Sequence, residues 1–470
     1  MSKVINSLEE AIKECGLKDG MTLSFHHHLR NGDYVLNKVL KTVDEMGFKD
    51  IKIAPSSVFP IHEPLVDLMK RKVVTGITAN YMRGPVAEAI SEGVMDEPVI
   101  FHSHGGRPRA IENGEINIDI AFIAAPSCDK EGNMNGVDGP AACGSLGYAY
   151  VDAQYAKKVV AVTDNLVDYP ASPISIDETH VDYVVQIDSI GDPNGIVSGS
   201  TQITRDPVGL VIARYASKVI EHSGLLKDGL SFQTGAGGAS LATAHYLKNL
   251  LKEKNIKGSF CMGGITGYMV NLLEEGLFDK LMDVQCFDIE AVKSLKRNPN
   301  HQEISASHYA NPDAKSSVIK NLDIVILGAT EIDINFNVNV HTDSNGYIMG
   351  GSGGHSDTAA ESKLCMIVAP LFRARLPIVV NRVHTITTPG STVDVLVTER
   401  GIAVNPKRKE LREKLEKAGL PIIDIEELKA IGDKIAGKAE PVETDEKIVA
   451  RVIYRDGKEL DVIRKICEKS

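Results

Sequence analysis

The sequence predicts an α/β protein of two tandem homologous domains with mainly parallel sheets, followed by a short C-terminal α+β extension. Three observations predict it. A chain of 470 residues is too long for one ordinary hydrophobic core. A long internal duplication divides it. Short, β-branched strands alternate with amphipathic stretches of helical length, as in parallel sheets covered on both faces.

The duplication sets the domain boundaries. Leu17-Lys18-Asp19-Gly20-Met21-Thr22-Leu23-Ser24-Phe25 recurs as Leu226-Lys227-Asp228-Gly229-Leu230-Ser231-Phe232, 209 positions on. Ile118-Asp119-Ile120-Ala121-Phe122-Ile123 is echoed by Leu322-Asp323-Ile324-Val325-Ile326-Leu327, 204 positions on. A polar, turn-rich stretch follows each echo, at 129–133 in the first half and at 342–346 in the second. The reading is a first domain over 1–206, a second over 207–405 and an extension over 406–470, with the boundary near Asp206-Pro207. Strands are predicted at 50–54, 158–162, 364–369 and 377–380, and a helix at 240–254. Past Pro406 a charged helix over 407–415 and a hairpin turning at Arg455-Asp456-Gly457-Lys458 form an appendix to the second domain.

Composition excludes several function classes. Hydrophobic residues at 43% and charged residues at 24% fit a globular protein rather than a disordered or fibrous one. No run approaches the ~18 apolar residues of a membrane helix, and the amphipathic start lacks a signal-peptide core. Seven cysteines, odd in number and far apart, argue against disulfides and structural zinc and for a reducing cytoplasm. A net charge of −11 without a basic run argues against nucleic acid. An anionic ligand must therefore be held by a local cluster.

Two glycine-rich loops stand in the second domain. Gln233-Thr234-Gly235-Ala236-Gly237-Gly238-Ala239-Ser240 follows a strand and opens a helix, where free N–H groups attract negative charge. Met349-Gly350-Gly351-Ser352-Gly353-Gly354-His355-Ser356-Asp357 packs four glycines into five positions, a sequence costly to order unless the backbone must approach a partner closely. Each reads as an anion or carbonyl-oxygen cradle, or as a tight turn without a ligand. In the first domain Phe25-His26-His27-His28-Leu29-Arg30-Asn31 occupies the place of the first glycine loop, and His102-Ser103-His104-Gly105-Gly106-Arg107-Pro108-Arg109 follows another strand. Guanidinium forks bind carboxylates bidentately and imidazoles add donors, so together these clusters read as a carboxylate site. A lone histidine among them serves equally as a partner of backbone groups. No facing ligand set for a metal is evident, so no metal is expected. The cysteines read as small buried hydrophobes. Arg83, in Tyr81-Met82-Arg83-Gly84-Pro85, stands near a ligand or in a structural ion pair.

Ala125-Pro126-Ser127-Cys128-Asp129-Lys130-Glu131-Gly132-Asn133 resembles a loop of the coenzyme A transferases, and Val397-Thr398-Glu399-Arg400-Gly401-Ile402-Ala403 looks like one of their second-domain signatures. The segments 25–33 and 350–358 are similar to those of citrate lyase α subunits. The resemblance implies two coenzyme A transferase-like domains with the active site between them. It implies exchange of acetate for citrate on the thiol of a phosphoribosyl-dephospho-coenzyme A group, carried by a small acyl carrier (γ) subunit, with acetyl-coenzyme A as a surrogate and no cofactor held permanently. A lyase (β) subunit would then cleave the citryl thioester, and a homo-oligomer is expected.

On this resemblance, His26, His27, Arg30, His104, Arg107 and Arg109 clamp citrate. Gly351, Ser352, Gly353 and Gly354 stabilise the oxyanion, while Gly235, Gly237, Gly238, Gly263, Gly264, His355 and Glu399 receive the thioester arm. Many members of the superfamily keep a nucleophilic glutamate where this chain has Cys261-Met262-Gly263-Gly264-Ile265. The departure implies direct exchange through a mixed anhydride, without a covalent enzyme intermediate. Competing readings are an enzyme acting on free acyl-coenzyme A and a sugar-phosphate-binding module of the same architecture. Citrate and citramalate present the same carboxylate chemistry, and the motifs do not separate them.

Overall fold

The computed structural model describes residues 3–197, 203–235, 237–438 and 441–467. Ala236, in the first glycine loop, lies outside them, as do the chain ends of the predicted first domain and extension. Two large sheets dominate. The first runs Val4–Ile5, Tyr183–Gln186, Lys158–Thr163, Ile120–Ala125, Thr22–Phe25, Ile51–Pro55, Val74–Ala79, Val99–Phe101, Thr444–Ile453, Glu459–Ile466. The second runs His301–Glu303, Phe278–Cys286, Gly258–Ile265, Ser231–Thr234, Ile324–Leu327, Leu364–Val368, Val395–Thr398, Gly401–Val404. Every neighbouring pair is parallel except the last of each sheet. Strands such as Ile120–Ala125 and Leu364–Val368 are buried along their whole length, which explains their continuous apolar character.

The duplication is visible in the register. Leu23 lies between Ile53 and Ile120, and Phe232, its counterpart 209 positions on, lies between Cys261 and Ile324. A small side sheet is repeated as well: Ser127–Asp129 between Leu166–Val167 and Met134–Asn135, and Glu331–Asp333 between Val379–Val380 and Val338–Asn339. The second-half partner of the 129–133 turn is 333–337, not the 342–346 stretch that the sequence suggested. Asp129 accepts from the N–H of Asn133 and from its side-chain amide, and Asp333 treats Asn337 in the same way. Residues 342–346 form a further turn, built on Asp343. The helix Pro207–His222 opens the second half, capped by Asp206 through the Gly209 N–H, with Pro207 where a missing N–H costs nothing.

The extension is not an appendix to the second domain. Its helices Lys409–Lys417 and Ile425–Ala436 do pack there, but the hairpin Thr444–Ile453 and Glu459–Ile466 joins the first sheet. Ala450, Arg451 and Val452 pair in parallel with Val99, Ile100 and Phe101, and Ala450, Val452 and Ile463 are buried. The strand Val99–Phe101 would otherwise be a bare sheet edge, which is why the hairpin settles on it. The strand expected at 377–380 is split into Leu376–Pro377 and Val379–Val380, with the Ile378 N–H turned to the Leu371 carbonyl.

The carboxyl ends of the two sets of parallel strands meet across the molecule. Gln285 Nε2 donates to the His27 carbonyl at 2.9 Å, the Met82 N–H to the Gly350 carbonyl at 3.0 Å, and the His104 N–H to the Gly353 carbonyl at 2.7 Å. Ligands of α/β sheets bind at such strand ends. Deleting residues 444–467 uncovers the Val99–Phe101 edge, so thermal unfolding of the truncated chain is expected to fall by about 5 °C or more, with faster proteolysis of the first half.

Candidate active site

The strand Thr22–Phe25 delivers three histidines into the seam between the halves. His26 Nε2 accepts the Ala124 N–H at 2.9 Å and His28 Nε2 accepts the Tyr148 N–H at 3.1 Å, and the two rings meet through their Nδ1 atoms. Both side chains therefore hold backbone, and the expected clamp role of His26 is corrected: its two ring nitrogens are engaged inside the first half. His27 is different. Its Nδ1 is bonded to Ser56 Oγ at 2.5 Å, and its ring lies 4.6 Å from that of Tyr148 and 5.6 Å from that of His104.

Arg30 stands at the centre of the seam. Its guanidinium lies 4.9 Å from the Phe59 ring and 5.1 Å from the Phe287 ring, one contributed by each half. Among the described residues no carboxylate pairs with it and no acceptor takes a hydrogen bond from its side chain. Burial lowers its pKa to about 10, with Tyr81 and Tyr148 opposing the shift, so it stays charged at neutral pH. Its backbone is left-handed at φ 52°, a region a long side chain occupies at a cost of about 1–3 kcal/mol.

The other two arginines of the expected clamp are corrected. Arg107 forms a buried fork with Asp152, at 2.7 and 3.0 Å, and also donates to the Ala54 carbonyl at 2.9 Å. Arg109 is forked with Glu115 at 2.6 Å on both arms and packs against Gly457 of the hairpin. Each guanidinium already has its carboxylate. His104 does reach the seam: its ring lies 4.5 Å from Tyr148, and a Cβ placed on Gly353 would stand 3.4 Å from its Nε2. The first half is less cationic here than the sequence suggested. Burial lowers His26 to about 4 and His104 to about 3 and pushes His27 and His28 well down, so all four imidazoles are neutral.

The second half supplies the opposite wall. The 350–354 loop is docked on the first half: a Cβ on Gly351 would strike the Asn80 carbonyl oxygen at 2.2 Å. The Gly353 N–H donates to that same carbonyl at 3.3 Å, so Gly353 is corrected as an oxyanion donor. The N–H groups of Gly351, Ser352 and Gly354 have no acceptor among the described residues, while Ser352 Oγ meets Ser356 Oγ at 2.7 Å. His355 is tied down on both sides. Its Nε2 donates to the Gly328 carbonyl at 2.9 Å and its Nδ1 therefore accepts from Thr388 Oγ1 at 2.7 Å, which removes it from the thioester set. Glu399 accepts the Leu371 N–H at 2.9 Å and faces Arg400, so it too has a local structural task.

Gly263 and Gly264 end the strand Gly258–Ile265 where the superfamily's glutamate is expected. A Cβ on Gly264 would lie 2.2 Å from the Phe287 ring, so this glycine lets Phe287 lie back while it covers Arg30. Glu275 is paired with Lys248 and Lys252, and Glu274 is exposed at the far end of the helix Gly267–Glu274. Gly235 and Gly237 are open, with Gly237 capping the helix Gly238–Glu253 and the Gly238 carbonyl accepting the Thr204 N–H. Sequence reasoning missed Phe59, Tyr148, Phe287, Gln233 and Tyr309. Gln233 Nε2 donates to Tyr309 Oη at 3.1 Å behind Gly354. The duplication could have found Tyr148, which precedes the helix Ala149–Tyr155 as Gly354 precedes His355–Glu361. All seven cysteines are free, and burial pushes the Cys128 thiol up to about 12. Among the described residues no His, Cys, Asp and Glu side chains form a group able to hold a metal ion, and no helix is long and apolar enough to cross a membrane.

The family model of the citrate lyase alpha subunit matches residues 1–466. The chain belongs to the citrate lyase alpha-subunit family. It is thus an enzyme of the transferase component of citrate lyases. It is 51% identical to the citrate lyase alpha chain of Klebsiella pneumoniae over 99% of this chain and 91% of that one. A citrate lyase alpha subunit of Streptococcus mutans, solved in complex with citrate, superposes with a TM-score of 0.98 at 53% identity, covering 100% of this chain and 92% of that one. The fold extends beyond the family. A Pseudomonas malonate decarboxylase hetero-tetramer contains a chain that superposes with a TM-score of 0.67 at 15% identity, covering 94% of each.

In this chain the neutral buried histidines couple the site to acid stability. The unfolded chain takes up protons near pH 6.5 that the folded one refuses, so stability is complete above that value and is lost as pH falls toward 4. The urea midpoint is expected to drop steadily across this window, with His26 alone contributing on the order of 3 kcal/mol. A midpoint that stays level from pH 7 to about 4.5 would contradict this account.

Proposed function

We propose that this chain exchanges the acetyl group of a carrier-bound thioester for citryl, and that Arg30 is the anchor of the citrate. The supporting observation is the half-buried guanidinium, charged, held between Phe59 and Phe287 and left without a carboxylate of its own among the described residues. Citrate carries close to three negative charges at neutral pH. One carboxylate takes the fork of Arg30. Neutral His27 and His104 serve as hydrogen-bonding partners for the others, and neutral imidazoles keep the site from needing further counter-charges.

A free citrate carboxylate then attacks the acetyl thioester carbon. The N–H groups of Gly351, Ser352 and Gly354, which have no acceptor among the described residues, suit the tetrahedral oxyanion. The C–S bond breaks and the thiolate departs, leaving a citryl–acetyl mixed anhydride. The thiolate returns to the citryl carbonyl and acetate leaves. No proton donor is required, and positioning with oxyanion stabilisation accounts for the acceleration. Glycines at 263 and 264, in place of a carboxylate nucleophile, favour this direct route. Gly235, Gly237 and Gly238, at the mouth of a parallel strand, suit the incoming arm. That arm is read as the phosphoribosyl-dephospho-coenzyme A group of a small acyl carrier subunit, with acetyl-coenzyme A as its surrogate. A separate lyase subunit takes the citryl thioester onward, and the chain works as a homo-oligomer. Seven free thiols suit a reducing cytoplasm.

Arg30→Ala is expected to lower kcat/KM for citrate by about 10²–10³, and Arg30→Lys to recover only part of that, since lysine keeps the charge but not the fork or the stack. Arg107→Ala should instead unfold the protein more easily, by about 3–5 kcal/mol in denaturant titrations, because it strands Asp152 in the core. Wild-type citrate kinetics in Arg30→Ala would remove the anchor from the site. Incubation with acetyl-coenzyme A, borohydride reduction and intact mass measurement is expected to return the unmodified chain. An adduct on a glutamate would reject direct exchange.

A further inference from the structure

Asp357 and Arg455 belong to no part of the clamp or the oxyanion set, yet both are buried beside the segment that carries His104. Asp357 Oδ1 accepts the Ser103 hydroxyl and Oδ2 accepts the Gly105 N–H, each at 2.8 Å, so the carboxylate grips both neighbours of His104. The fit is close, since a Cβ on Gly105 would stand 2.8 Å from Asp357 and 2.1 Å from the Ala310 carbonyl oxygen. Ser103 Oγ accepts the Gly106 N–H at 2.9 Å, which leaves its one proton for Asp357. Arg455, at the turn of the C-terminal hairpin, places Nε 3.5 Å from Asp357 and Nη1 2.6 Å from Glu361, with Nη2 toward the Ala310 carbonyl. Three distant segments thus meet at the residues that flank His104.

We infer that Asp357 and Arg455 are positioning residues for acyl transfer, the hairpin arginine holding the Asp357 carboxylate in the form that fixes His104 against Gly353 and Tyr148. The inference rests on the citrate transferase reading of the site. The ionised carboxylate offers both oxygens as full acceptors to Ser103 and Gly105; protonation turns one of them toward donation, weakens that contact and loosens a flank of His104. Burial raises Asp357 to about 6 and the Arg455 charge opposes that rise, while Glu361 shares the guanidinium. The remaining titratable groups facing Asp357 are the phenols of Tyr148, Tyr309 and Tyr454, each held neutral by burial.

The test compares wild type, Arg455→Gln, Arg455→Lys and Ser103→Ala with citrate and acetyl-coenzyme A, alongside histidine ¹⁵N NMR in which His104 is assigned by its loss in His104→Gln. Arg455→Gln is expected to move the acid limb of kcat upward by about one pH unit, cutting kcat by about twofold at pH 7 and by about ninefold near pH 5. The His104 resonance should shift, the citrate KM should change little, and Arg455→Lys should restore both readouts. Ser103→Ala, which removes no charge, should lower kcat and move the His104 signal even if Arg455→Gln fails to fold. An unmoved His104 resonance and acid limb overturn the inference, as does a loss equal at all pH values that tracks unfolding. The NMR arm needs no turnover, so a wild type inactive toward citrate would count against the transferase reading alone.

Discussion

A half-buried guanidinium with no carboxylate beside it among the described residues is an expensive object, and much of the seam between the halves helps to make it tolerable. Aromatic faces from both halves take up part of the lost hydration of Arg30, and neighbouring imidazoles remain neutral so that no second positive charge competes with it. Two other arginines in the first half were neutralised by their own carboxylates. Arg30 was left open, and that difference sets it apart from the scaffold arginines and carries the proposed anchor role.

The scaffold logic follows from the duplication. Each half brings the carboxyl ends of parallel strands to the same seam, but the two ends have diverged in chemistry. The first presents imidazoles, a guanidinium and phenols. The second presents glycines, whose missing side chains let backbone come within hydrogen-bonding reach of the first. The glycine-rich loop at 350–354 therefore has two tasks: some of its N–H and C=O groups fasten the halves together, and the rest remain available for a ligand.

Architecture was legible in the sequence because repeated strands such as 17–25 and 226–232 bury the same pattern and take the same register. The site was legible only in part. His27, Arg30 and His104 come together, yet adjacent residues in the same motifs, His26, Arg107 and Arg109, turn to private partners, and a linear motif does not say which side of a turn faces the seam. His355 and Glu399 failed as ligand candidates for the same reason, since their bonds go to carbonyl and N–H groups in their own half. Phe59 and Phe287 were invisible because an aromatic lid is indistinguishable from core until the arginine beneath it is seen. The hairpin was found, but its destination depended on an unpaired edge more than 300 positions earlier, information no local pattern contains.

That destination has a bearing on how the molecule comes into being. The first sheet takes in a strand from 444–453, so the N-terminal half leaves the ribosome with a raw edge and waits for almost all of the second half to be made before it is sealed. Closure of the polypeptide into a ring of contacts comes last. Until then the nascent chain exposes Val99–Phe101 to any passing strand, and the period of greatest danger from misassembly coincides with the synthesis of the glycine-rich loops of the second half.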